Sequence, residues 1–300
     1  MVALMSHLEP GIEDNVADVK GILIGSTTGE EAGPLLPLLR WAGGKRWLLP
    51  SVSALIASTE IHNYHEPFVG GAAVFFGLSI GAKAYLSDLN IDLIHTYKQV
   101  RDDPEGVWRF LRRYQNTESC YYAARSARPR LDASRAAQFI FLNHASFNGI
   151  YRVNLAGRYN VPYGHRKFYN PPRLDDLRHA SARLRSAELA EGDFTTAIEN
   201  IGPGDLVFLD PPYTVAHNNN GFVRYNDKLF SFADQRRLST TIDTIRERDA
   251  YYILTNAAHH SIAELFEKGD RRIETLRKNA VGGAAAARGT ATEYLFTNLP

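Results

Sequence analysis

The sequence predicts an α/β fold interrupted by a basic, mostly helical insert. Three observations carry that expectation. Short apolar runs alternate with helix-period segments from Pro34 to about residue 100, and the alternation resumes after Asp193. Between them, from Arg109 to Arg185, 15 Arg or Lys stand against 4 Asp or Glu; that block carries +11, which leaves −10 for the rest of a chain whose net charge is +1. The stretch from Ala145 to Pro172 is rich in Asn, Gly, Tyr and Arg and has no clean period. Loops of that length in compact domains are usually functional or disordered, and the aromatic content argues against disorder.

Residues 1–33 are polar and rich in Gly and Glu, and read as a loosely ordered extension. "YHEPFVGGAAVFFGL" reads as a strand end, a glycine turn and a helix. "AKAYLSDLN" is a short second strand ending at Ser87-Asp88. "NIDLIHTYKQV" follows as a helix with Ile91, Ile94 and Tyr97 on one face and Asp88 or Asn90 as its cap. "DPEGVWRFLRRY" starts with Asp103 as cap and Pro104 at the first helical position, with a stripe of Val107, Phe110, Leu111 and Tyr114. Another helix covers Ala133 to Asn143. After the insert, "LVFLD" is a strand, "DQRRLSTTIDTIRERD" a helix facing inward through Leu238, Ile242 and Ile245, and "YYILTN" a strand. "RRIETLRK" and "TEYLFTN" close the chain as a hairpin around the small-residue segment "AVGGAAAARGT". The expected division is an extension at 1–33, a catalytic domain from 34–100 and 187–300, and an inserted domain at 101–186.

Composition narrows the chemistry. With 44% hydrophobic and 22% charged residues the chain is ordinary for a soluble globular protein, and no apolar run is long enough to span a bilayer. The beginning of the sequence lacks a basic-then-apolar leader, so a cytoplasmic location is expected. The single cysteine, Cys120, excludes an intramolecular disulfide and a cysteine-cluster metal site, and fits a reducing compartment. His259-His260 is an adjacent pair, poor spacing for metal ligands on one helical face, and reads as surface or packing. A basic block inside a near-neutral chain is an electrostatic footprint for phosphate, where a solvated arginine-rich helix surface is the plain alternative.

Three short stretches carry chemistry. In "EPFVGG" a strand leads through Glu66, Pro67 and Phe68 into Gly70-Gly71 and a helix, a place where backbone approaches a ligand closely, although a tight strand-to-helix turn needs no ligand. Asp88 stands 18 residues after Gly70, at the carboxyl edge of the second strand, and is placed to bind ribose hydroxyls. The glycine pattern is not the full dinucleotide fingerprint, so a single nucleoside fits better than a pyrophosphate ligand. In "LLRWAGGKRWLLP", Trp41 walls a pocket, Gly43 and Gly44 allow close approach, and Lys45 faces a carboxylate or phosphate; a buried Trp before a turn is the plain alternative. In "GDLVFLDPPYTV" a hydrophobic strand ends in Asp210-Pro211-Pro212-Tyr213. Prolines stiffen the turn and cannot donate to a sheet ladder. The Asp210 carboxylate and the Pro211 carbonyl are both acceptors, able to take the two hydrogens of a planar NH₂ group. Tyr213 adds an aromatic face, and an acceptor pair beside a stacking ring is what a flipped nucleobase requires.

These motifs, in this order, resemble the Dam-like family, the D12 class and α group of DNA adenine-N6 methyltransferases. "RWAGGK" is followed by "EPFVGGAAVFF", "SDLNIDLI", "FLNHASFNGIYRVNLAGRYNVPYG", "GDF", "DPPY" and a late "TN", together covering almost everything from Leu38 onward. The resemblance implies a Rossmann-like, S-adenosyl-L-methionine-dependent methyltransferase sheet with an inserted, mostly helical target-recognition domain. It implies S-adenosyl-L-methionine as cofactor, S-adenosyl-L-homocysteine as product, and no metal. By position, Trp41, Ala42, Gly43, Gly44 and Lys45 line the cofactor pocket with Glu66, Pro67, Phe68 and Gly70. Asp88 holds the ribose beside Leu89 and Asn90, Asp193 and Phe194 flank the cofactor adenine, and Asp210 sits beside the transferred methyl. Double-stranded DNA is the implied partner, with a cognate restriction endonuclease as a companion. Arg40, Arg152, Asn154 and Pro162 fall near the bases, Phe147 and Asn148 fill the gap left by flipping, and Arg166 belongs to the same reading segment. GATC is the leading motif, although Arg166 stands where GATC-specific relatives often carry Tyr and His144 replaces a more usual basic residue.

Rival readings use the same residues. Cytosine-N4 or RNA methylation also needs the acceptor pair, but the corresponding motif for cytosine leans to Ser in place of Asp210. A catalytically silent DNA-binding module would not need an intact Asp210–Tyr213 stretch. A protein glutamine methyltransferase, whose motif begins with Asn, leaves the basic block without a role.

Overall fold

The computed structural model describes residues 35–78, 80–154, 156–213, 230–278 and 290–300. The N-terminal extension expected at 1–33 lies outside them, as does nearly all of the small-residue segment between the last two strands. Seven strands form one sheet: β1 (Asn63–Glu66), β2 (Lys83–Asp88), β3 (Ala187–Glu191), β4 (Leu206–Leu209), β5 (Tyr251–Ala257), β6 (Arg271–Lys278) and β7 (Thr290–Thr297). Their spatial order is β3-β2-β1-β4-β5-β7-β6. The first five run parallel, and β7 inserts antiparallel between β5 and β6. The expected hairpin is therefore present, with one strand of it paired to the parallel sheet.

The apolar pattern of the central strands explains the layers. Along β4, Leu206 and Phe208 belong to the core on one face, while Val207 and Leu209 belong to the core on the other. A strand buried on both faces reads as a continuous apolar run, as "LVFL" does. The second face is covered by the helix Phe232–Glu247, which enters through Leu238, Ile242 and Ile245 and starts at a capping box between Ser231 and Asp234.

The first face carries the helices between β2 and β3: Ile91–Asp102, Pro104–Leu111, Glu118–Ser126, Asp132–Ala145 and Leu174–Leu184. Sequence capping signals hold here. The Asn90 side chain accepts from Leu93 N–H, so Asn90 rather than Asp88 caps its helix, and Asp103 accepts from Gly106 N–H ahead of Pro104. These helices share one hydrophobic cluster with the sheet, running from Leu86 and Phe208 through Tyr97 to Tyr121, Ile140 and Phe141. No helix among the described residues is long and apolar enough to cross a membrane.

Candidate active site

Strand order reverses between β1 and β4: the chain leaves β1 toward β2 and β3, and leaves β4 toward β5. In open parallel sheets the crevice outside the carboxyl ends at such a point is where ligands bind. Glu66 ends β1, Asp88 ends β2 and Asp210 follows β4, so topology gathers three carboxylates there. All three carboxyls are pushed up, in each case mainly by burial. Glu66 rises to about 8, because burial and the charges of Asp210 and Asp88 outweigh the hydrogen bond from the Tyr64 hydroxyl at 2.8 Å.

The glycine turn after β1 is built against Asp88 and Trp41. Gly70 N–H donates to Asp88 Oδ2 at 3.0 Å, Asn90 N–H donates to Oδ1 at 2.9 Å, and the Tyr97 hydroxyl donates to the Gly70 carbonyl at 2.8 Å. Gly70 has φ +44°, and a Cβ there would lie 2.7 Å from Trp41 Cδ1, so both backbone conformation and indole packing demand glycine. The "RWAGGK" and "EPFVGG" stretches thus meet in space. Gly43 turns at φ +85°, and its carbonyl accepts from Lys45 Nζ at 3.1 Å. Ala42 and Gly44 are exposed beside it and Pro67 is buried.

Lys45 is buried and reaches the acid-Pro-Pro-Tyr turn. Its Nζ lies 2.9 Å from Asp210 Oδ1 and 3.5 Å from Glu293 Oε2, and stands 4.7 Å over the centre of the Tyr213 ring. The Thr255 hydroxyl donates to the same Asp210 Oδ1 at 2.7 Å. Asp210 Oδ2 has no partner among the described residues. The Tyr213 hydroxyl donates to Glu293 Oε2 at 2.7 Å, and Arg277 Nη1 to Glu293 Oε1 at 3.1 Å. Thr255, Glu293 and Arg277 were not among the site residues expected from the sequence. Thr255 had a faint signal, in the Thr-Asn pair at the end of "YYILTN"; Glu293 had one as a lone acid in the apolar strand "TEYLFT".

Asp193 and Phe194 sit beyond Phe68. Phe68 stacks on Phe194 with ring centres 5.2 Å apart and meets Phe230 edge-on at 5.7 Å. Burial pushes the Asp193 carboxyl up, but bonds from Thr195 and Arg237 outweigh it and hold it below the usual range. Leu89, next to Asp88, is 66% exposed. His259 hydrogen-bonds Ser261 at the start of its helix, so that histidine has a local structural role.

The expected nucleobase-side residues form a second group. The Asn143 side chain accepts from Arg40 N–H at 2.8 Å and donates to the Arg40 carbonyl at 2.7 Å, which ties Arg40 to the end of helix Asp132–Ala145. His144 Nε2 lies 2.8 Å from the Leu38 carbonyl, and burial lowers its pKa. Phe147 is half exposed, and Asn148 is exposed with a left-handed backbone at φ +54°. Phe147 N–H donates to the carbonyl of exposed Pro162 at 3.0 Å. Arg152 donates to Asn160 at 2.8 Å. Asn154 Oδ1 accepts from Ala156 and Arg158 N–H at 3.0 Å each, so that oxygen is engaged by the local backbone. Arg166 reaches the Ser146 carbonyl at 3.4 Å. The two groups touch where Trp41 stacks on Tyr151, ring centres 5.7 Å apart.

A parallel sheet closed by one reversed strand, with Glu66, Asp88 and Asp210 gathered at its switch point, is a Rossmann-like arrangement with a ligand crevice at the carboxyl ends of its strands. The profile of the D12 class N6 adenine-specific DNA methyltransferases matches residues 41–280, and the chain belongs to that family of enzymes. It is 35% identical over 277 residues to the Type II methyltransferase M1.LlaDCHI of Lactococcus lactis subsp. cremoris, spanning 88% of this chain and 95% of that one. It is 33% identical over 244 residues to the Type II methyltransferase M.MjaIII of Methanocaldococcus jannaschii, spanning 74% and 84%. It is 31% identical over 228 residues to a DNA adenine methylase of Haemophilus influenzae, spanning 73% and 78%.

Proposed function

We propose that this chain transfers a methyl group to N6 of an adenine flipped out of a short duplex motif, with GATC the first motif to test. The observation that carries the reading is the state of Asp210. Its Oδ1 is fixed by Lys45 and Thr255, while Oδ2 has no partner among the described residues and lies in a turn that also holds Tyr213. A partly buried, oriented acceptor beside an aromatic ring matches the needs of an extruded base.

The exocyclic amine of adenine is a poor nucleophile because its lone pair is delocalised into the ring. Hydrogen bonds from its two N–H groups to Asp210 and the Pro211 carbonyl favour a pyramidal nitrogen. The positive charge that develops there faces the Asp210 carboxylate, so stabilisation is electrostatic and preorganised. Tyr213 supplies a stacking face that offsets part of the cost of unstacking.

The residues fit S-adenosyl-L-methionine. Asp88 and Asp210 bring two carboxylates, both partly buried, to the place where a sulfonium and an ammonium would add positive charge, and the Trp41–Gly70 contact leaves backbone rather than side chains along the turn. In this reading Trp41, Ala42, Gly43, Gly44, Lys45, Glu66, Pro67, Phe68 and Gly70 line the pocket. Asp88, Leu89 and Asn90 serve the ribose, and Asp193 and Phe194 the adenine of the cofactor. When bound, the cofactor supplies an electrophilic methyl group and leaves as S-adenosyl-L-homocysteine. Among the described residues no cluster of three or more His, Cys, Asp or Glu is arranged to hold a metal ion.

The segment 101–186 is the target-recognition part in this reading. Arg109, Arg112, Arg113, Arg128, Arg130 and Lys167 are exposed and suit phosphate contacts, which position DNA without reading it. Arg40, Phe147, Asn148, Arg152, Asn154, Pro162 and Arg166 are assigned to the bases. A companion restriction endonuclease in the cytoplasm fits the Type II relatives. The test is transfer of labelled methyl groups to duplexes carrying GATC, a scrambled motif, or GATC with 2-aminopurine at the target. Methylation of GATC alone and a fluorescence rise on binding support the reading; methyl transfer to RNA or to cytosine overturns it.

A further inference from the structure

The acid-Pro-Pro-Tyr turn is held at both ends by strands that follow it in the chain. Thr255 on β5 fixes Asp210, and Glu293 on β7 fixes Tyr213. β5 and β7 pair antiparallel with Ala257 opposite Glu293 and Thr255 opposite Leu295. Thr255 and Glu293 are therefore diagonal neighbours on one face of the sheet, within reach of one another's partners. The Glu293 side chain is only 5% exposed and receives the Tyr213 hydroxyl, the Lys45 ammonium and the Arg277 guanidinium. Burial pushes its carboxyl up, but Lys45, Tyr213 and Arg277 together hold it below its ordinary value.

We propose that Glu293 is a positioning residue for methyl transfer, fixing the Tyr213 ring and holding Lys45 between two carboxylates. The inference rests on the function proposed above. Lys45 lies 2.9 Å from Asp210 and 3.5 Å from Glu293, so one buried cation is shared by two anions. With Glu293 neutral, Lys45 pairs with Asp210 alone and cancels the charge that the developing amine cation needs. With the bond from the Tyr213 hydroxyl to Glu293 at 2.7 Å weakened, the ring loses one of the contacts that set its plane. Arg277, on the far side of Glu293, anchors the carboxylate itself.

The test uses the full chain with E293Q, Tyr213→Phe and their combination. Glutamine keeps an acceptor for the phenol and removes the charge. The expected result for E293Q is a single-turnover methylation rate lowered about 10-fold or more, as for loss of a charge-assisted hydrogen bond. Affinity for duplex DNA and for sinefungin, a non-reactive cofactor analogue, stays within about two-fold of the parent. The double variant falls short of the product of the single losses, because both changes strike one hydrogen bond. A parent-like rate in E293Q, or full additivity in the pair, overturns the assignment. If E293Q does not fold, Arg277→Met removes the outer anchor instead, with a smaller loss of rate and unchanged affinities expected; an unchanged rate there overturns it. Absence of methylation by the parent chain would overturn the proposed function instead, which keeps the two failures apart.

Discussion

Replacing Asp210 with Asn removes one negative charge while keeping the shape of the turn. In the parent protein Asp210 Oδ1 takes Lys45 at 2.9 Å and Thr255 at 2.7 Å. Breaking a buried ion pair by removing one partner costs about 3–5 kcal/mol when the other charge is stranded. Here Lys45 keeps Glu293 at 3.5 Å and the Gly43 carbonyl at 3.1 Å, so the loss of stability should fall nearer 1–3 kcal/mol, the range for a compromised buried hydrogen bond. The rate should suffer more. Loss of one preorganised group facing developing charge costs about 100- to 1,000-fold in kcat. The assay is single-turnover methyl transfer to duplex DNA, paired with DNA affinity by anisotropy and a urea melt. The expected outcome is a collapsed rate with a folded protein that still binds DNA. A folded variant within about three-fold of the parent rate would refute the acceptor-pair reasoning.

Three other predictions follow from separate parts of the molecule. Glu66 keeps its proton up to about pH 8 in the fold against an ordinary value of 4.5; the folded state therefore binds more protons across that interval, and stability falls as pH rises through it. E66Q should flatten that fall in a calorimetric series from pH 5 to 9, with a melting temperature above the parent's at the alkaline end and a shrinking difference toward pH 5. Asn143→Ala strands the Arg40 N–H and carbonyl and should cost about 1–3 kcal/mol in a urea titration; an unchanged midpoint would show that Arg40 is held by something else. DNA affinity should fall steeply with salt if the exposed arginines of the Arg109–Arg185 block meet phosphate as proposed, and a flat plot of log Kd against log salt would mean that the block is not the DNA surface.

Much of the fold was legible because its signals are local. Apolar runs bounded by glycine and proline marked the central strands, and Asn90, Asp103 and Pro104 marked helix starts. The acid-Pro-Pro-Tyr turn was legible for the same reason: four consecutive residues carry both its stiffness and its acceptors. What stayed hidden depends on strands distant in sequence. Glu293 meets Tyr213 80 residues away, and Asn143 meets Arg40 across 103 residues. No spacing rule brings such partners together; only the insertion of β7 beside β5 and the packing of a helix end on residues 38–41 do. The basic block showed its charge in the sequence but not its packing: its aromatic residues Tyr121, Phe141 and Tyr163 extend the core over one face of the sheet. Asp88 illustrates a subtler point. Its position at a strand end was plain and pointed to a ribose ligand or a helix cap, but its bonds to Gly70 and Asn90 show that it also shapes the glycine turn after β1.

The central claim is that this chain marks adenine in DNA at one short sequence. The most direct measurement is methylation-sensitive, single-molecule sequencing of plasmid DNA from a methylation-deficient host that expresses the full chain, beside the same host expressing Asp210→Asn. N6-methyladenine is expected at a single short motif in the first sample and none in the second. Methylated cytosine, or unmodified DNA from cells containing the folded protein, would contradict it.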